Sequence, residues 1–404
     1  MTRLDRTSAV LTAILLPIAL ATVVGLVALW PSGERHDSGV VEVAAEHPTA
    51  RVLSATSEAC AGENEDRLPD GAIPEQVPCT TLRAEVTSGA AAGEVVEVWA
   101  PATVRATDLP PGTAIVLVRY LATDDEPEVW AWYDFSRSLP LGALALAFAA
   151  VVIAVAGLRG LRALIGLAMA FVVIGAFLLP ALLDGRDALL TGLVASSAIM
   201  FVVLYLAHGF SRRTTTALLG TMAGLAVTAL LGVIAARTAH LTGISTEDSY
   251  RLAVLTGQLD GTALRGLFLA GVVLAGLGVL NDVTITQASA VWELRAADPT
   301  ASRARLFSGG MRIGRDHIAS TVYTIAFAYA GAALPVLLLL EVYRLPLLLT
   351  LSSGEFAEEI ARTLVGSIGL VLAIPLTTAI AAAVVTTETP GRRRHREAAP
   401  THAH

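Results

Sequence analysis

The sequence contains no lysine: all 28 of its basic residues are arginine. That excludes Schiff-base chemistry and the lysine of a Walker A phosphate loop. Charge of either sign is scarce, at 16% of residues, where soluble domains carry roughly 25%. No Gly-x-Ser-x-Gly elbow, His-Glu-x-x-His pair or glycine-rich phosphate loop is present, so the chain offers no recognisable catalytic nucleophile or zinc site. The expectation is a protein that is not an enzyme, with no catalytic residue, no metal ligand and no cofactor. Cysteine is almost missing as well. Cys60 and Cys79 are the only two, too few and wrongly spaced for a zinc site. Internal sequence repeats are also lacking, so no inverted-repeat argument can place a site.

What the chain has in abundance is apolar residues, 54% of the total, with a mean hydropathy of +0.65. They are gathered into runs at 10–30, 141–157, 164–183, 188–207, 217–236, 264–280, 318–340 and 364–385. Each approaches the ~20 residues that a helix needs to cross a bilayer. The first is too long for the core of a cleavable signal peptide and ends Leu-Trp-Pro, so residues 1–30 read as a retained anchor. The expected fold class is a mostly α membrane protein. An eight-helix bundle would carry a small extracytosolic β-rich domain between its first two helices.

Residues 31–140 differ in kind. They hold 19 acidic residues against 7 arginines and include both cysteines. Short alternating β-branched stretches recur at 39–44, 80–87, 94–99 and 114–121, followed by a last aromatic stretch at 129–135, with turn residues such as Pro110, Pro111 and Gly112 between them. They predict a small β-barrel or sandwich of about five strands, with an OB-like barrel as one option. Its acidity argues against a nucleic-acid partner. Outside the cytosol, Cys60 and Cys79 are expected to form a disulfide. The acidic insert between them reads as a solvated loop, since it lacks the spacing of a calcium-binding EF-hand.

Arginine placement sets the expected orientation. With the N-terminus in the cytosol and alternating spans, the cytosolic segments hold 15 arginines and the outer segments beyond residue 140 hold six. The positive-inside rule then puts both termini in the cytosol. Residues 141–388 form a seven-helix membrane domain, and 389–404 form a disordered, arginine-rich cytosolic tail. The expected location is a bacterial inner membrane, with membrane lipid as one partner, a small solute or ion as another, and an extracytosolic protein as a third.

Polar residues among the apolar runs mark the candidate site. Asp282, Thr286, Ser289 and Glu293 recur at i, i+4, i+7 and i+11 and share one helical face, with Asn281 and Gln287 beside it. If the helix stops at Leu280, Asn281 and Asp282 only cap it. If it runs on to Trp292, the stripe lies in the membrane and must meet protein or water. The second reading is the one carried forward. The next run opens with Asp316, His317, Ser320, Thr321 and Thr324, and the last offers Ser367, Thr377 and Thr378, with Pro375 expected to kink it. These residues are the candidate substrate or ion pathway. The competing reading treats them as helix caps and interhelical hydrogen-bonding groups. Gly220-x-x-x-Gly224 is a helix-packing motif on either view. The stretch 240–263, which opens with the helix-start signal Thr246-Glu-Asp-Ser, and the stretch 341–362 read as outer interfacial helices.

Three segments carry a resemblance. They are Gly278-Val-Leu-Asn-Asp-Val-Thr-Ile-Thr-Gln-Ala-Ser-Ala-Val-Trp-Glu-Leu294, Met311-Arg-Ile-Gly-Arg-Asp-His-Ile-Ala-Ser-Thr321 with Ala328-Tyr-Ala-Gly-Ala332, and Arg362-Thr-Leu-Val-Gly-Ser-Ile-Gly-Leu370 with Pro375-Leu-Thr-Thr378. On these the sequence resembles the YibE/F-like family of bacterial multipass membrane proteins, most strongly after residue 140. The resemblance implies an integral inner-membrane protein with an anchored N-terminal extracytosolic domain. It supplies no mechanism.

Overall fold

The computed structural model describes residues 6–33, 45–61, 67–68, 70–122, 127–257, 261–344 and 346–387. The expected strand at 39–44 and the expected tail therefore lie outside the described residues. The chain divides into two compact units, one of residues 1–39 with 152–404 and one of residues 40–151.

The helices follow the apolar runs and their punctuation. They are α1 (Arg6–Ala28), α2 (Ser138–Val173), α3 (Leu179–Leu183), α4 (Ala188–His208), α5 (Arg212–Thr238), α6 (Glu247–Thr256), α7 (Gly261–Ala297), α8 (Arg303–Ala332), α9 (Leu334–Tyr343), α10 (Leu347–Leu351) and α11 (Gly354–Val385). Asp187 opens α4 by accepting from Leu190 N at 2.8 Å, and Ser211 opens α5 by accepting from Thr214 N at 3.1 Å. Such caps satisfy the orphan amide groups of a helix's first turn. Thr246 and Ser249 cap α6 reciprocally, as the helix-start signal predicts. The stretch 341–362 does not form one interfacial helix. It divides between the end of α9, α10 and the first turns of α11. Gly157 interrupts α2 with φ +60° and ψ −139°, a conformation open chiefly to glycine. A π-helical stretch over Ile174–Leu178 joins α2 to α3.

Among the described residues, six helices are long and apolar enough to cross a membrane. The count becomes seven if α8 and α9, bent by 68° at their junction, are taken as one broken span. Their outward faces carry bare apolar side chains, as at Val155 and Phe327, which are 84% and 74% exposed. Apolar surface on this scale needs a covering, and lipid supplies one.

Three helices, α5, α7 and α11, pack on one another along a seam of small residues. A methyl group at Gly224 would lie 2.7 Å from Leu280 Cδ2 and 3.1 Å from Ala373 Cβ. Gly220 lies against Thr377 and Gly369 against Thr228, each too close to admit a side chain. The glycine-x-x-x-glycine motif of α5 thus brings backbones together, as small residues do where dispersion rather than water drives helix packing. Three hydroxyls inside the seam, those of Thr221, Thr228 and Thr284, bond to one another or to the preceding turn, while the buried hydroxyl of Thr377 has no hydrogen-bond partner among the described residues. Thr221 and Thr284 pair across α5 and α7 at 2.6 Å, while Thr228 donates to Gly224 O at 2.9 Å. Leu218, Leu225, Val273, Leu277 and Leu280 complete the core.

The second unit holds a six-stranded antiparallel sheet: β1 (Ala45–Glu46), β2 (Thr49–Cys60), β3 (Val77–Val86), β4 (Val95–Ala100), β5 (Ala114–Tyr120) and β6 (Val129–Phe135). The strand order is β1-β5-β2-β3-β4, with β6 also on β5. Register shifts at Val52/Ser54 and Val116/Leu117 bend the strands, and β4 comes back against β6, curling the sheet around Val52, Leu82, Val98, Ile115 and Leu117. Cys60 and Cys79 are joined as a disulfide between β2 and β3. Arg119 binds Glu128 through Nε and Nη2, at 3.0 and 2.9 Å, and Glu46 through Nη1 at 3.2 Å. Its guanidinium also covers the Trp130 ring.

Candidate functional site

The helix α7 does not stop at Leu280; it runs unbroken to Ala297. Its buried face passes through Val283, Thr284, Gln287, Ala288 and Val291, whereas Asp282, Thr286 and Glu293 are exposed. Asn281 and Ser289 are half-buried. The hydroxyls of the stripe turn inward to their own helix: Thr286 donates to Asp282 O, and Ser289 to Ile285 O at 2.8 Å. The acidic stripe therefore faces away from the bundle core, and the polar residues that enter the core are Thr284 and Gln287.

Gln287 joins three helices. Its Nε2 donates to Gly310 O of α8 at 2.7 Å and to Thr378 Oγ1 of α11 at 2.8 Å. Thr378 in turn donates to Ile374 O at 2.6 Å. Glycines permit this closeness. A methyl at Gly310 would lie 2.8 Å from Thr378 Cγ2, and one at Gly314 would lie 2.6 Å from Ile374 Cγ2 and 3.2 Å from Gln287 Oε1. Leu306, Gly309, Gly310 and Gly314 are the buried residues of α8, all in its first twelve positions.

Beyond Gly314 the helix α8 is seated less closely. Its inward face, through Ile318 and Ile325, packs with Val279 and Val371 around Val283, Leu370 and Ile374. Past this apolar layer a groove of about 230 Å³ lies between α7, α8 and α11. Ala275, Gly276 and Val279 form one wall, Thr324, Ile325, Ala328 and Tyr329 a second, and Arg362, Thr363, Gly366 and Ser367 the third. Ala275, Val279, Asp282 and Thr286 follow the helical spacing i, i+4, i+7, i+11. The acidic stripe is thus the continuation, one turn on, of the face that lines the groove.

The remaining candidate residues lie along these same helices. Asp316 and Ser320 are exposed, and His317 is half-buried with Nε2 buried and without a hydrogen-bond partner among the described residues. Ser320 and Thr321 donate to His317 O, and Thr324 to Ser320 O. Thr377 is buried in the seam beside Gly220. The structure thus brings Gln287 and Thr378 into direct contact and puts Thr324 and Ser367 in one groove. Among the described residues, neither the Asp282 nor the Asp316 carboxylate takes part in a hydrogen bond or ion pair. Residue patterns missed Arg362 as a groove residue, because charged neighbours placed it in a loop before the last apolar run. In the structure it lies eight residues past the start of α11. The turn from α7 to α8 is built on Asp298, whose carboxyl accepts from the Thr300 hydroxyl at 2.7 Å and pairs with Arg305 at 3.1 Å. The Thr300 bonds, assisted by Arg305, hold that carboxyl below the usual carboxylate range. No group of three or more metal-ligating side chains gathers among the described residues.

Long apolar helices with bare outer faces, packed through glycine and hydroxyl seams, fit an integral membrane protein. The family model for the YibE/F-like protein matches residues 144–387, a stretch that holds α4 to α11 and all three walls of the groove. The chain belongs to the YibE/F-like family. Neither the curated proteins nor the solved structures returned a match.

Proposed function

We propose that the protein is a secondary transporter or permease for a small solute, with its path along the contact of α8 with α7 and α11. It is not an enzyme on this reading. The observation that carries the proposal is the uneven seating of α8: clasped by Gln287 and Thr378 at its start, it leaves an open, partly polar groove further on. The apolar layer of Val283, Ile318, Leu370 and Ile374 closes one end of that groove. The 68° bend into α9 supports the same reading, because broken helices are recurrent parts of transporter sites. Asp282, Thr286, Asp316 and His317 then form the polar approach on the far side of the apolar layer, where an intramembrane carboxylate or imidazole can exchange a proton or cation.

The topology completes this proposal. Residues 138–183 make a run of 46, about twice the ~20 residues needed for one crossing. Division at Gly157 gives two spans there and eight in all. Arginine placement supports a bacterial inner-membrane orientation with both termini in the cytosol and the β unit outside, its sheet an OB-like candidate. Purified full-length protein in proteoliposomes, offered a panel of ions and metabolites, tests the function. Uptake of at least one solute is expected, blocked by Ala275→Trp, which fills the groove away from the seam. Absence of any flux across the panel would overturn the proposal.

A second reading has its own observation. Trp99 and Tyr133 are 70% and 60% exposed on the β unit, and aromatic side chains are enriched where proteins meet. In that case the protein is a scaffold or sensor whose β unit holds an extracytosolic partner. Deletion of residues 45–135 would then abolish function, and Ala275→Trp would leave it intact.

A further inference from the structure

Arg362 is the one charged residue in the groove lining. It belongs to α11, and its side chain is 29% exposed. A guanidinium carries five N–H donors in a planar fork. Here the fork makes no hydrogen bond among the described residues. Its charged contact is an ion pair from Nε to Glu359 Oε2 at 3.3 Å, and Nε itself is buried without a hydrogen-bond partner. The ring of Phe268 lies under the guanidinium, with Cζ 5.5 Å from the ring centroid. Gly271 leaves room for it: a methyl there would lie 2.6 Å from Nη1. A glycine, an aromatic face and a helix thus hold one cation in place while its Nη donors make no hydrogen bond among the described residues. Nε is the atom that is buried without a partner, which a low-dielectric site makes costly.

We infer that the groove binds an oxyanion, a carboxylate or phosphate group attached to a small apolar body, with Arg362 as its recognition residue. The inference rests on the groove being the solute's path and names the class of solute. Arg362 Nη1 and Nη2 match the two oxygens of a carboxylate or phosphate in a bidentate pair. Tyr329 and Ser367 bring further hydroxyls to the same groove, while Ala275, Val279, Ile325 and Ala328 receive the apolar body. A volume of about 230 Å³ suits a molecule smaller than a typical drug. Glu359 competes with the anion for the guanidinium and holds the cation when the groove is vacant.

Binding to the full-length protein in phosphatidylcholine nanodiscs tests this, with radiolabelled benzoate and hexanoate as probes. Benzylammonium serves as the cationic control. Both anions are expected to bind and benzylammonium is not. Arg362→Gln should weaken binding about tenfold or more, the loss expected for a charge-assisted hydrogen bond. Arg362→Lys should recover part of it. Gly271→Ala, which displaces the fork and keeps its charge, should also weaken binding, and Glu359→Gln should strengthen it a few-fold. Inorganic phosphate as a competitor separates a free phosphate source from a carboxylate one. Nanodiscs of phosphatidylglycerol separate a lipid headgroup, which would displace the probes in a manner dependent on Arg362. Either kind of displacement supports the site. Equal binding by Arg362→Gln and the native protein, or binding of benzylammonium as tight as benzoate, overturns it, as does failure of both anions to bind. Anion binding without flux in proteoliposomes would leave the site standing and remove the transport proposal. Flux indifferent to Arg362→Gln would do the reverse.

Discussion

The two sides of α7 are built differently from similar residues. Toward α5 and α11, glycines and threonines close a tight seam in which Thr221 and Thr284 bond to each other and Gly369 leaves room for Thr228. Toward α8, the same classes of residue make one tight clasp at Gln287 and then part around a groove. Small residues therefore do not by themselves make a rigid interface. The seam repeats the close approach over several turns, with Gly220, Gly224 and Gly369 at successive levels, whereas α8 concentrates it in Gly309, Gly310 and Gly314. A helix fixed at one end and loose at the other has somewhere to move, and a helix fixed along its length does not.

The largest test of this contrast is to overpack the seam. Gly369→Leu drives a side chain into Thr228 and should cost more than the ~1–3 kcal/mol usual for an overpacked core. Fluorescence-detected size-exclusion chromatography should show loss of the monodisperse protein. Ala275→Trp on the groove side should leave that peak in place. Next comes the clasp: Gln287→Leu strips Gly310 O and Thr378 of their donor, with an expected loss of about 1–3 kcal/mol. Hydrogen exchange should then rise across 303–316 while 212–238 stays protected. An equal rise in both would show that the two interfaces open together.

Smaller effects follow. Thr284→Val removes the Thr221 bond and should lower thermal stability by about 0.6 kcal/mol, the typical worth of such a bond in membrane bundles. Asp298→Ala should have the least effect, and one that depends on pH. The folded-state pKa of Asp298 is depressed, so its contribution is present above the ordinary carboxylate range and is lost as pH falls through the folded value. The difference in melting temperature between Asp298→Ala and the native protein should accordingly shrink on acidification. Growth of that difference in acid would contradict the assigned bonds.

The apolar runs made the membrane helices legible, because their lengths answer to bilayer thickness rather than to sequence detail. Four strands were equally visible, β3 to β5 from their alternation and β6 from its aromatic residues. β2 was not: only Ala50 and Val52 are buried in it, and its second half is exposed, so no alternation marks it. The candidate site was legible as a set of helices and less so as a set of faces. Helical spacing showed that Asp282, Thr286, Ser289 and Glu293 share a side, yet the buried side of α7 also carries polar residues, Thr284 and Gln287. With no hydropathy contrast between the two sides, periodicity had no means of choosing the one that enters the core. Arg362 was hidden differently. Charged residues around it placed the helix start at 364, and α11 begins ten residues earlier.

One consequence concerns the order in which the protein is made. The helix α11 packs against α5, α7 and α8, and it is translated after all three. Until residues 354–385 leave the ribosome, Gly220 and Gly224 of α5 lack the wall formed by Thr377 and Ala373, and Gln287 lacks Thr378. Insertion of the earlier helices can proceed in chain order, but their assembly must wait for the last one. A chain interrupted before residue 354 would leave inserted helices with no partner to close on, a ready target for membrane quality control.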